Sequence, residues 1–113
     1  MKIAIVGFGM MGRQIAQVFA QNGHQVLATD ENQKSLPEGM EEIEKGPYGV
    51  RAAASRGKLT EKQASEALNR ISTTPSLKDA CREADLVIEA VFEDLLLKQK
   101  LFERIVAKLA AAA

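Results

Sequence analysis

Gly7, Gly9 and Gly12 stand in the run Lys2-Ile3-Ala4-Ile5-Val6-Gly7-Phe8-Gly9-Met10-Met11-Gly12, where a β-branched stretch gives way to helical spacing. A Gly-x-Gly-x-x-Gly at such a junction suits a dinucleotide pyrophosphate. The first glycine permits the tight turn out of a strand, the second lets backbone approach the phosphates, and the third lets the following helix lie close to the sheet. That helix turns unpaired N–H groups and the positive end of its dipole toward the anion. Asp30 stands beyond Gly12 by close to the ~20 residues at which an acid accepts hydrogen bonds from the adenosine ribose. A carboxylate there repels a 2′-phosphate, so the pattern favours NAD over NADP. Capping of the next helix is the alternative use of Asp30.

These residues need a βαβ unit to position them, and the spacing supplies one. Ile3 to Val6 is apolar without alternation, as in a parallel strand covered on both faces. Met11, Ile15, Val18 and Phe19 recur at helical spacing, and Asn22-Gly23 stops that helix. Gln25 to Thr29 reads as the second strand. About forty residues then precede a third strand near Arg70 to Thr73, more than one crossover helix requires. They predict two helices. The first covers Gly39 to Ser55, ended or kinked at Gly46-Pro47. The second opens at Thr60 with Gln63 in a capping box and runs to about Asn69. The expected result is a helical hairpin projecting from the sheet edge. Its Arg51, Arg56 and Lys58 are candidates for an anionic substrate tail, with solvated surface charge as the alternative. A short helix from Leu77 to Arg82, capped by Ser76, leads to a fourth strand at Asp85 to Ala90. The expected class is α/β, a Rossmann-type parallel sheet of order 3-2-1-4 with the hairpin inserted between strands 2 and 3. Ligands collect outside the carboxyl ends of such a sheet, so Ala90 to Asp94 belong near the glycine turn. Asp94 would cap a further helix carrying Leu97, Leu101, Phe102, Ile105 and Leu109, with Lys98 in its first turn.

Composition bounds the rest. With 113 residues there is room for one domain or less. Fifteen basic and fifteen acidic residues balance to zero formal charge, which gives no polyanion-binding surface and no expectation of nucleic acid. Neither a signal peptide nor a membrane span is expected, and one cysteine, Cys81, cannot form an intrachain disulfide, so a cytoplasmic setting is the expectation. Cys81 is read as a helix bystander and His24, the sole histidine, as a turn residue in the wrong place for a general base. No residue pattern calls for a metal.

Taken together, Ile5-Val6-Gly7-x-Gly9-x-Met11-Gly12, Gly23-His24-x-Val26 with Asp30, Arg56-Gly57-Lys58-Leu59-Thr60, and Ala84-Asp85-Leu86-Val87-Ile88-Glu89-Ala90-Val91-x-Glu93-Asp94-Leu95-x-Leu97-Lys98 resemble the amino-terminal domain of the L-3-hydroxyacyl-CoA dehydrogenases. The segment after the fourth strand is the most specific part. The resemblance implies that Gly7, Gly9 and Gly12 cradle the pyrophosphate with Met11 beside it, that Asp30 binds the ribose, and that Ala90, Glu93 and Lys98 contact the cofactor, the last two on its nicotinamide side. It further implies hydride transfer between C3 of an (S)-3-hydroxyacyl-CoA and NAD, a homodimeric parent, and Ser55 and Lys58 as contacts for the CoA portion. At Gly46-Pro47-Tyr48-Gly49 the chain departs from the longer helix many members have. The family's Asn-Thr-Ser-Ser and His-Phe-x-x-Pro segments, with the glutamate that orients the histidine, do not occur in the chain. Residues 1–113 are therefore expected to form an NAD-binding domain incomplete at its carboxyl end, without the catalytic segment or the helical domain, and inactive alone. Two other readings stand beside this one: an NAD-dependent dehydrogenase of a hydroxy acid or sugar acid, lambda-crystallin-like, and a non-catalytic NAD-binding module.

Overall fold

The computed structural model describes residues 1–90. The helix expected after Asp94, with Glu93 and Lys98, lies outside them. In chain order the elements are β1 (Lys2–Val6), α1 (Met10–Gln21), β2 (Gln25–Thr29), α2 (Ser35–Lys45), α3 (Val50–Ser55), α4 (Glu61–Asn69), β3 (Ile71–Thr73), α5 (Leu77–Arg82) and β4 (Leu86–Glu89).

The four strands form one parallel sheet in the order β3-β2-β1-β4, as expected. β1 is central among them: Val6 pairs with Thr29 on one side and with Glu89 on the other. Strand alternation splits its side chains between two layers. Ile3 and Ile5 join Val26, Ala28, Phe8, Ala16 and Ala20 in the larger core, under the helices of one face. Ala4 and Val6 meet Cys81 on the other, where α5 lies. Ile3, Ile5 and Phe8 are fully buried. Each such side chain contributes roughly 1.5–3 kcal/mol relative to exposure.

Between β2 and β3 the structure has three helices where the spacing predicts two. α2 begins at Ser35, ahead of the expected Gly39, because Pro37 falls in the first turn, where a missing N–H costs nothing. It ends at Lys45, before Gly46-Pro47, and α3 restarts with Gly49 as its N-cap. The expected break is real, and it separates two helices. The hairpin also does not simply project from the sheet edge: α2 and α4 both pack against α1, and α4 reaches β3. Buried Ala64 and Ala67 allow that approach.

The local signals for caps hold. Thr60 accepts from the Gln63 N–H at 3.0 Å while the Gln63 side chain accepts from the Thr60 N–H at 2.9 Å, a complete capping box. Ser76 accepts from the Asp79 N–H at 3.1 Å. At the end of α1, Asn22 is the C-cap and Gly23 takes φ 89°, the left-handed conformation that favours glycine.

Candidate dinucleotide site

The glycine turn lies at the carboxyl end of β1, where the chain connections on either side of that strand diverge toward β2 and β4. Gly7 takes φ 103° and donates its N–H to the Thr29 carbonyl at 2.9 Å, so the turn is tied to the end of β2. On the other side Ala90 donates to the Val6 carbonyl at 2.7 Å. A Cβ on Gly12 would overlap the carbonyl oxygen of Gly7 and come within 3.3 Å of Ile5. The start of α1 can therefore lie against the turn only with glycine at this position.

Gly9 differs. It is exposed, its φ of −82° is open to any residue, and a Cβ on it would meet nothing within 4 Å. Neither packing nor backbone conformation requires a glycine there. It is also the N-cap of α1, so this helix has no side-chain cap, and its first turn has no acid. The first N–H groups of α1 lack intrahelical partners by geometry and remain available to an anion. α4 and α5, by contrast, have theirs answered by Thr60 and Ser76. Met10 and Met11 flank this opening with large exposed side chains.

Asp30 follows the end of β2. Its Oδ2 accepts from the Phe8 N–H at 2.6 Å and its Oδ1 from the Asn32 N–H at 2.8 Å. The carboxylate thus braces the turn from below and shapes the loop into α2. It does not cap α2, whose N-cap position is Lys34. Each oxygen keeps acceptor capacity, and the residue is half-buried, so negative charge remains at the edge of the site.

Phe8, the residue between the first two glycines, is fully buried. Its carbonyl accepts from Arg13 Nε at 2.8 Å. Arg13 is drawn toward α2 by the Ser35 carbonyl at 3.5 Å and Glu38 at 3.9 Å, and Gly39 of α2 is packed so closely that a Cβ on it would overlap the Phe8 ring. Sequence reading missed Arg13, although an arginine directly after the third glycine was the available signal. It also passed over Glu89, an acid ending an apolar strand. Glu89 Oε1 is buried and has no hydrogen-bond partner among the described residues.

Other candidates separate from this cluster. Ser55 ends α3 and Lys58 lies in the turn before α4, both exposed. Arg51 already has partners: it pairs with Glu61 at 3.1 Å and Glu44 at 3.7 Å and donates to Ser65 at 3.2 Å. Arg56 is turned back on the Pro47 carbonyl at 3.1 Å. His24 lies before β2, at the opposite end of the sheet from the glycine turn, with the chain's amino group 3.2 Å from Nδ1 and Phe19 edge-on to its ring. Cys81 is buried in α5. No cluster of metal-ligating side chains and no helix long and apolar enough to cross a membrane occurs among the described residues.

An open parallel sheet with this turn at the divergence of its connections, an uncapped helix start and an acid after the second strand together define a dinucleotide-binding Rossmann domain. Residues 2–113 match the family model described as 3-hydroxyacyl-CoA dehydrogenase, NAD binding domain, and the chain belongs to that family. It is 37% identical over 107 residues to a probable 3-hydroxyacyl-CoA dehydrogenase of Caenorhabditis elegans, covering 91% of this chain and 35% of the relative. It is 38% identical over 105 residues to a probable 3-hydroxybutyryl-CoA dehydrogenase of Deinococcus radiodurans, covering 93% and 36%. The fold superposes on the crystal structure of (S)-3-hydroxybutyryl-CoA dehydrogenase from Ralstonia eutropha with a TM-score of 0.81 at 33% identity, over 92% of this chain and 35% of that one. The chain thus spans about a third of the length of these curated relatives. The family's cofactor is NAD.

Proposed function

We propose that this chain seats NAD for a dehydrogenase that moves hydride between C3 of an (S)-3-hydroxyacyl-CoA and the cofactor. Gly7, Gly9 and Gly12 frame the pyrophosphate, Met11 lies beside it, and Asp30 takes the adenosine ribose. Ala90, Glu93 and Lys98 contact the cofactor, the last two on its nicotinamide side, and Ser55 and Lys58 meet the CoA portion. Gly9 is the observation that carries this reading: an exposed glycine required by neither conformation nor packing, opening onto unpaired N–H groups, is spared a side chain for something outside the protein. When bound, NAD supplies the hydride acceptor. The residues of this chain contribute orientation: the turn and α1 hold the pyrophosphate, and Asp30 sets the ribose end by hydrogen bonding and charge. The acyl-CoA substrate follows from the family and from the names of the relatives. The same resemblance carries a homodimeric parent, and a reducing compartment such as the cytoplasm suits a chain whose one cysteine is buried.

Calorimetric titration with NAD and NADP tests the cofactor site. NAD is expected to bind and NADP to bind at least about tenfold more weakly, since like charges brought together at Asp30 cost on the order of kcal/mol. Equal affinity for the two, or preference for NADP, would remove the role given to Asp30.

A further inference from the structure

We propose that Arg13 is a positioning residue of the cofactor site, orienting the Gly9 N–H toward the pyrophosphate by holding the carbonyl of Phe8. The inference rests on the NAD reading above and adds a residue to it. The Phe8–Gly9 peptide is trans, so the Phe8 C=O and the Gly9 N–H point in opposite directions across one rigid plane. Arg13 Nε takes the C=O at 2.8 Å and is itself placed toward α2, with Nη2 3.5 Å from the Ser35 carbonyl and 3.9 Å from Glu38. The Gly9 N–H is thereby held away from α2, on an exposed residue and without a partner among the described residues.

The preceding peptide is fixed just as firmly. Asp30 takes the Phe8 N–H at 2.6 Å, and the Gly7 carbonyl faces Gly12. Glycine on both sides of Phe8 would otherwise let these two planes rotate, because glycine reaches both signs of φ at little cost. With Phe8 buried and both of its peptide groups anchored, the donors that an anion meets are set before it arrives. Such preorganisation lowers the ordering cost of binding. Arg13 has only a fifth of its side chain exposed. Its role is this hydrogen bond, with its charge a secondary contribution.

Glutamine and lysine separate the two. In Arg13→Gln, Nε2 stands the same number of bonds from Cα as the arginine Nε, so the donor remains and the charge is lost. Arg13→Lys keeps the charge but moves the donor one atom farther out. Arg13→Met keeps the apolar stem and neither polar property. Titration with NAD and with adenosine, below the melting temperature of each variant, should show Gln within about threefold of the unaltered chain for NAD, and Lys and Met weakened by about tenfold, the loss of one hydrogen bond. Adenosine, which lacks the pyrophosphate, should bind all four proteins equally. Lys matching the unaltered chain while Gln falls would assign the role to charge and overturn the proposal. So would wild-type affinity in Met, or a loss that extends equally to adenosine. The Gln–Lys comparison decides the matter even if the Met variant does not fold. If the unaltered chain binds no NAD, the cofactor reading itself fails; if it binds and the variants do not differ, only the assignment to Arg13 does.

Discussion

Two glycines three residues apart have opposite surroundings, and substitution separates them. Alanine at Gly12 places a methyl group on the backbone carbonyl of Gly7, a residue whose N–H is tied to the Thr29 carbonyl at the end of β2. Overpacking against rigid backbone costs about 1–3 kcal/mol or more, so Gly12→Ala should lower both the urea midpoint and NAD affinity. Alanine at Gly9 meets no protein atom and needs no unusual φ. Gly9→Ala should keep the urea midpoint of the parent while binding NAD at least about tenfold more weakly, because its methyl group fills space reserved for phosphate. A Gly9→Ala protein that binds NAD normally would show that the opening is not the pyrophosphate seat. The pattern of three glycines was legible in the sequence. So was the division of labour among them, and the structure adds the atoms behind it: a Cβ on Gly12 would overlap the Gly7 carbonyl, while one on Gly9 would meet nothing within 4 Å.

At the scale of elements, the helices differ in how their ends are satisfied. α4 carries its own start signal, Thr60 with Gln63, and both reciprocal hydrogen bonds form. Thr60→Ala should destabilise the chain by about 1 kcal/mol in urea unfolding and leave NAD affinity unchanged, since α4 belongs to the hairpin and not to the turn. Capping is legible because its partners stand three residues apart, and the Ser76 cap of α5 was readable for the same reason. The division of the hairpin into α2, α3 and α4 was less legible. The start of α2 at Ser35 places Pro37 in its first turn, where proline is tolerated. Gly39, a poor helix former, lies inside α2 because the Phe8 ring leaves no room for a side chain. Helix α2 thereby becomes a wall of the cofactor turn, which no propensity scale conveys.

For the molecule as a whole, a parallel sheet has two unlike ends. The glycine turn, Asp30 and Ala90 gather at the carboxyl ends of the strands, while His24 lies at the amino ends beside the chain's first residue. His24→Gln should therefore bind NAD within about twofold of the unaltered chain, as expected for distant, independent sites; calorimetry showing a larger loss would contradict the separation of the two ends. The outer position of β4 among the described strands and the half-exposed Leu86 on it also belong to this scale. So does the pairing of Arg51, read from sequence as a candidate for an anionic tail but in ion pairs with Glu44 and Glu61 and hydrogen-bonded to Ser65 once α3 packs on α4.

By itself the sequence determined the strands, most helix boundaries, the glycine turn, the acid at position 30 and the order of the sheet. These features depend on periodicity, on side-chain-to-backbone bonds spanning a few residues, and on the right-handed crossovers that parallel strands require. Only the tertiary structure decided that Phe8 is the buried pivot of the turn, held by Asp30 on one side and Arg13 on the other, and that α2 supports the arginine. The Asp30 contact joins positions 22 residues apart. It exists because pairing Val6 with Thr29 brings the ends of β1 and β2 level, and strand register is a property of the assembled sheet.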